Sequence, residues 1–388
     1  MNLEVLKSAS SLERLRPEWL ELHRIAPAAS PALHPDWMLG WLRHYGPAYV
    51  SEGAIRTYVV RDDGALVGLI PMYIANARIL GVRVRTLRFL STGEDEAEET
   101  CADYLNLLAA PGREAEVLPV IERAVFGAHD WQVLDLTGVP SESALLRLGD
   151  ESGLARFRKV ESRGECLRSD ITNGVEGLLA KLSAKARQKS RRLLREFQRS
   201  GLQFKLAEDA PAIEAAFDDL VALHTARWTA DGKAGAFASR RFLALHRELA
   251  RKWIPEGRAA LATLRDASRP LAVIYGFIER DEFHFYQSGA TRDRLESIAS
   301  PGIAINLLLM DALSQRGIAV YDFLLGQQQY KQEYRTSGRS LTRLRLVRDP
   351  RLRALEAFKS WIRPIRRGAF RRRGSRVVRD SAAPPDAS

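Results

Sequence analysis

Cysteine is scarce: the 388 residues contain two, Cys101 and Cys166. Neither lies in a CxxC spacing or a Cys/His cluster, which excludes a disulfide framework and a zinc site. No apolar run reaches the roughly 18–20 residues that a membrane span needs. The opening stretch Met1–Leu15 lacks an apolar segment of the signal-peptide type. Also missing are GxxxxGK(S/T), HExxH and GxSxG, so phosphotransferase, metalloprotease and serine-hydrolase chemistry are excluded. The expectation is a reduced, cytosolic protein without a metal.

Positive charge is abundant, with a formal net charge of +11 and a pI near 9.8. Its location decides what it means. Residues 351–388 carry +8 and Lys181–Arg199 carries +7, which leaves −4 for the rest of the chain. The body is slightly acidic, and two short segments hold the excess. With 46% hydrophobic residues the chain is globular, and its length suits two domains.

The tail begins as a basic amphipathic helix, with Leu352, Leu355, Phe358, Ile362 and Ile365 at helical spacing and Pro364 near its end. Residues 366–388 have no periodicity and are expected to be disordered. The basic stretch around Lys185, Arg187 and Lys189 has an apolar side formed by Leu182, Ala186, Leu193, Leu194 and Phe197. It is expected to be a solvated helix that bridges two halves. Binding to donor phosphates, an anionic glycan or tRNA are the alternatives.

The two halves share an order of elements. The second reads as helices at 210–228 and 239–252, strands at 259–265, 271–279 and 282–288, a helix at 301–316 and a strand at 319–324. The first reads as a helix at 12–25, strands at 55–61 and 65–74, a helix at 113–126 and a strand at 132–136. "AAPGREAEVLPVIERAV" parallels "ASPGIAINLLLMDAL", and "WQVLDLTG" parallels "AVYDFLLG". The loop 80–106, with "GEDEAEET", has no counterpart. The expected boundaries are a first lobe at 1–165, a basic bridge at 166–205, a second lobe at 206–349 and a tail at 350–388.

The chemistry concentrates in the second half. Ser300 suits an N-cap and Pro301 the first helical position. Gly302 leaves the amides of that turn bare, a seat for phosphate as much as an ordinary capped helix. Asp322 interrupts an apolar strand, where a carboxylate must be paired or used. Tyr330 and Lys331 follow it in "QQQYKQEY", and Tyr286 and Gln287 end the strand before the loop. His224, Arg227 and Trp228 share a helix face ahead of a Gly-rich loop and Phe237. His224 is a structural histidine or a base.

With "YQSG", "SPG", "YDFLLG" and "QYKQEY" in this order, the second half resembles the GNAT acyltransferase superfamily. The branch it resembles is the CelD-like, cellulose-biosynthesis-associated acetyltransferases, near FemAB-type transferases that carry two such halves. The resemblance is sharpest over 180–340 and extends over 1–165. One departure is the loop Ala290–Gly302, which is longer than the usual Q/R-x-x-G-x-G/A and has only Gly302 at its end.

The resemblance implies an α/β fold of mixed sheets, with two tandem GNAT-like lobes, each a mainly antiparallel sheet flanked by helices. It implies an acyl-CoA-dependent N- or O-acyltransferase, with acetyl-CoA as donor, no metal, and a small-molecule or saccharide acceptor in envelope or exopolysaccharide synthesis. Asp322, Tyr330 and His224 would be catalytic. Gln287, Ser288, Gly289, Ser300 and Gly302 would bind the cofactor, and Arg227, Trp228, Phe237, Tyr286 and Lys331 the acceptor or donor groups. The first lobe would be degenerate. Alternatives are an aminoacyl-tRNA-dependent transferase of FemAB type and an inert polymer- or membrane-binding adaptor. The basic tail would touch the inner face of an anionic membrane.

Overall fold

The computed structural model describes residues 1–79, 82–293, 295–326 and 328–354. The helix and tail expected beyond residue 354 lie outside these residues. One compact unit runs from Met1 to Leu346. None of the described helices is long and apolar enough to cross a membrane.

The first half opens with β1 (Asn2–Leu6), α1 (Ala9–Ile25), α2 (Pro35–His44) and the single turn α3 (Gly46–Tyr49). Then come β2 (Thr57–Asp62), β3 (Ala65–Ile70), the hairpin β4 (Met72–Ile79) and β5 (Val82–Phe89), the two-residue β6 (Leu108–Ala109), α4 (Glu114–Gly127) and β7 (Val133–Pro140). The stretch expected as one strand at 65–74 breaks at Pro71, which offers no amide to a ladder. Next are β8 (Arg158–Asp170), α5 (Gly174–Lys181) and the basic helix α6 (Ala184–Arg199). The second half is β9 (Gln203–Leu206), α7 (Ala210–Ala230), α8 (Arg240–Trp253), β10 (Ala259–Arg265), β11 (Pro270–Glu279), β12 (Glu282–Ala290), α9 (Pro301–Ser314), β13 (Val320–Asp322), α10 (Gln329–Tyr334) and β14 (Ser337–Val347).

Both halves thus run strand, two helices, antiparallel strands, helix, strand. A four-stranded sheet, β1-β2-β3-β6, belongs to the first half. A ten-stranded sheet, β4-β5-β7-β14-β8-β13-β12-β11-β10-β9, crosses both. Its centre reads alike from either side. The parallel pair β5–β7 matches the parallel pair β12–β13, each beside an antiparallel hairpin. The inner strands are exchanged: β8 follows the first half in the chain but lies beside β13, whereas β14 follows the second half and lies beside β7. Each exchanged strand carries an arginine to the repeated aspartate of its neighbour. Arg343 grips Asp135 through two bonds of 2.6 and 2.7 Å, and Arg168 Nε lies 3.4 Å from Asp322.

The largest core runs between the halves. Trp37 of α2 packs edge-on against Phe277, Tyr286 and His246. A Cβ at Gly40 would lie 2.9 Å from Leu245, so glycine lets α2 and α8 meet closely. Asp36, nearly buried, accepts bonds from Arg16 and from Trp253 of the second half, with Lys252 at 2.9 Å. The basic helix α6 buries Ala186, Ser190 and Leu193, and its Ser190 hydroxyl bonds to the Tyr334 hydroxyl at 2.9 Å.

Candidate active site

Strands β12 and β13 pair through only three residues, Glu282–His284 against Val320–Asp322. Beyond His284, β12 continues alone on that edge while β13 turns away at Leu324, whose φ is +54°. On its other edge β12 carries a bulge: Gln287 faces Tyr275 and Phe285 faces Gly276, so Tyr286 is the extra residue. Bulges of this kind re-aim side chains beside functional sites. The opening left between the strands is a cavity of about 370 Å³.

Eight of the residues expected at the site line it: Tyr286, Gln287 and Ser288 from β12, His224, Arg227 and Trp228 from α7, and Tyr330 and Lys331 from α10. Burial pushes the Tyr330 hydroxyl up to about 12, so it stays protonated at neutral pH. Lys331 is 4% exposed; its ammonium donates to the Phe323 carbonyl at 2.7 Å and lies over the Phe285 ring. Burial lowers it to about 8 against the opposing pull of nearby acidic groups. Burial and then Arg227 push His224 down to about 4, with Gln287 opposing, so its ring is neutral at pH 7. The Tyr286 hydroxyl is fixed to the Thr100 carbonyl at 2.6 Å and to His246 at 3.0 Å.

The other five expected residues are placed elsewhere. Asp322 is fully buried outside the cavity lining, where the Tyr104 hydroxyl donates to one oxygen and the Leu324 amide to the other. Burial raises it to about 6 despite those bonds and Arg168. Phe237 stands edge-on to His224 inside an aromatic cluster with Phe217 and Phe242. At Gly289 a Cβ would come within 2.6 Å of Leu223, so its bareness serves the packing of α7 on β12. Ser300 and Gly302 open α9 away from the cavity lining. The Ser300 side chain makes no capping bond, and the Ala299 amide donates to Glu196 of α6 at 2.9 Å.

The rest of the wall was not anticipated. Ser91, Thr92, Glu94, Glu99, Cys101, Ala102 and Asp103 come from the loop between β5 and β6, Thr137 and Gly138 from β7, and Arg163 from β8. Ser91, Cys101 and Tyr104 all have positive φ, as does Leu324 across the opening. Side chains in that region cost about 1–3 kcal/mol each and persist where the surrounding structure over-determines the backbone. The loop is tied to the second half by Glu98, which accepts from Ser239 at 2.9 Å and from Arg241 at 3.1 Å. The one signal in the sequence was the acidic run itself.

Residues 184–332 match the family model described as Acetyltransferase (GNAT) domain. The matched stretch contains the β12–β13 opening, and the match supports an acyltransferase. No curated protein sequence matches the chain. Among solved structures it is similar to FemX, at 11% identity over 92% of this chain and 100% of that one, with a TM-score of 0.57. It is similar to a conserved protein of unknown function from Bacteroides thetaiotaomicron, at 15% identity over 89% and 100%, with a TM-score of 0.54. The C-terminal domain of a putative lysylphosphatidylglycerol synthetase from Agrobacterium fabrum follows, at 11% identity over 92% and 97%, with a TM-score of 0.51. These likenesses establish the fold, with both halves included.

Proposed function

We propose that the protein transfers an acyl group directly from acyl-CoA, with acetyl-CoA as donor, to an amine or hydroxyl of a small molecule or saccharide. The observation that carries this reading is the opening between β12 and β13, where an extended thioester arm can lie along the free edge of Phe285–Ser288. Backbone amides near Gln287 and Ser288 would meet the thioester oxygen as charge develops on it, and the Lys331 ammonium would add to that stabilisation. The Tyr330 hydroxyl would protonate the departing thiolate. Trp228 and Arg227 would hold the reactants in place, which is most of what a ternary-complex transfer requires. Asp322 takes a positioning role, fixing Leu324 and Tyr104 around the opening. The bare amides at the start of α9 remain the proposed seat for the donor's phosphates, with Glu196 giving up the Ala299 amide.

An envelope or exopolysaccharide setting, a cytoplasmic location and contact of the basic tail with an anionic membrane belong to the same proposal. A second reading, aminoacyl-tRNA as donor, is favoured by the exposed basic residues of α6, Lys185, Arg195 and Arg199 among them. Calorimetric titration with acetyl-CoA separates the two. Binding that is followed by release of free thiol with an acceptor supports the first. Absence of binding, together with salt-sensitive tRNA binding lost on neutralising Lys185, Arg187 and Lys189, supports the second.

A further inference from the structure

The loop Ser91–Tyr104 of the first half supplies the acidic part of the cavity wall, Glu94, Glu99 and Asp103. Asp103 accepts the Leu325 amide at 3.4 Å, which places it where β13 turns away from β12. One oxygen of Glu94 receives Trp41 Nε1 at 2.5 Å and the Thr100 hydroxyl at 2.7 Å. Its other oxygen is buried without a hydrogen-bond partner among the described residues. A buried acceptor left unpaired beside a cavity is costly unless a donor arrives to meet it.

We propose that Asp103 is the general base of the transfer and that Glu94 holds the acceptor's nucleophilic group beside it through its unpaired oxygen. This rests on acyl transfer in the cavity, as proposed above. Asp103 takes the proton from the attacking N–H or O–H as the acceptor atom bonds to the thioester carbon. The carbon–sulfur bond breaks, and the sulfur leaves as thiolate and takes the Tyr330 proton. Tyr330 regains a proton from Asp103 through solvent, so the net movement is one hydrogen from acceptor to thiol.

The neighbours of Asp103 suit the task. Burial raises it most; Asp322 of β13 and Glu99 of its own loop raise it further, while the Leu325 amide and Lys331 of α10 oppose, and it settles at about 7. Arg163 and Arg227 line the same cavity from β8 and α7. A base near neutrality balances availability against strength, whereas His224 is too weak a base and Asp322 is sealed away.

The test uses the full chain with acetyl-CoA, following free-thiol release against pH with primary amines, amino sugars, alcohols and water as acceptors. Wild type should show a rising limb near pH 7. Asp103→Asn should remove that limb and lower kcat roughly 10²–10⁴-fold while calorimetric acetyl-CoA binding persists. Glu99→Gln removes a like charge and should move the limb to lower pH, a readout that does not depend on the Asp103 variant folding. Acetyl-CoA binding with an unchanged rate and limb in Asp103→Asn, or a limb that Glu99→Gln leaves in place, would overturn the assignment alone. No acetyl-CoA binding by wild type would overturn the donor reading and the assignment with it.

Discussion

Asp322 should make the stability of the protein depend on pH. Its carboxyl is fully buried, and burial outweighs the Tyr104 hydroxyl, the Leu324 amide and Arg168 to raise it from 3.8 to about 6. The folded protein therefore binds this proton more tightly than the unfolded chain does. Stability from the group is fully present below pH 4 and falls as pH rises through about 6. The rise from 3.8 to about 6 corresponds to roughly 3 kcal/mol. Asn at 322 mimics the neutral acid and does not titrate, so Asp322→Asn should lose this dependence. Urea unfolding of both proteins, followed by tryptophan fluorescence between pH 4 and 8 at constant ionic strength, reads the difference. Wild type should lose roughly 3 kcal/mol relative to Asp322→Asn across that window. Parallel curves would show that Tyr104, Leu324 and Arg168 offset burial, and a wild type that gains on the variant as pH rises would show that they outweigh it.

Two further changes separate chemistry from packing. Tyr330→Phe should lower kcat by about 10²–10⁴-fold with little change in acetyl-CoA affinity, measured by steady-state thiol release and calorimetry. Gly289→Ala would drive a Cβ to within 2.6 Å of Leu223 and 2.7 Å of the His224 amide. It should cost about 1–3 kcal/mol in urea unfolding, with a weakened KM as α7 is pushed off β12.

Much of the second half was legible because its strands and helices follow simple periods and are bounded by Asp, Gly, Ser and Pro. Tyr286, Gln287, Tyr330 and Lys331 of the Phe283–Tyr334 segment line one opening, since a strand end and the following helix start converge on it. The duplicated order of elements was legible for the same reason. Strand exchange was not: β8 and β14 alternate arginines with apolar residues, as in "SLTRLRLV", and nothing local says which half such a strand joins. The cavity's acidic wall was hidden more deeply. Residues 91–104 have no period, adopt positive φ at three non-glycine positions, and are held by partners such as Trp41, Ser239 and Arg241 that are distant in the chain. The packing constraints at Asp322 and Gly289 were hidden for a related reason. A lone polar residue or glycine in an apolar strand signals constraint, and only tertiary contacts reveal whether ligand or packing imposes it.

The net charge of +11 also takes on a different meaning. Part of it lies on α6, where Lys189 pairs with Glu333 and Arg191 with Glu176, leaving the cavity itself with a mixture of acids and bases. A site of that kind is suited to placing a neutral thioester beside an acceptor that must lose a proton.

In the proposed function the opening between β12 and β13 holds an acyl thioester. A crystal structure of the protein with acetyl-CoA tests it most directly. The thioester oxygen is expected at the Gln287–Ser288 backbone, with the sulfur within reach of the Tyr330 hydroxyl. Acetyl-CoA bound elsewhere, with that opening filled by water alone, would contradict it.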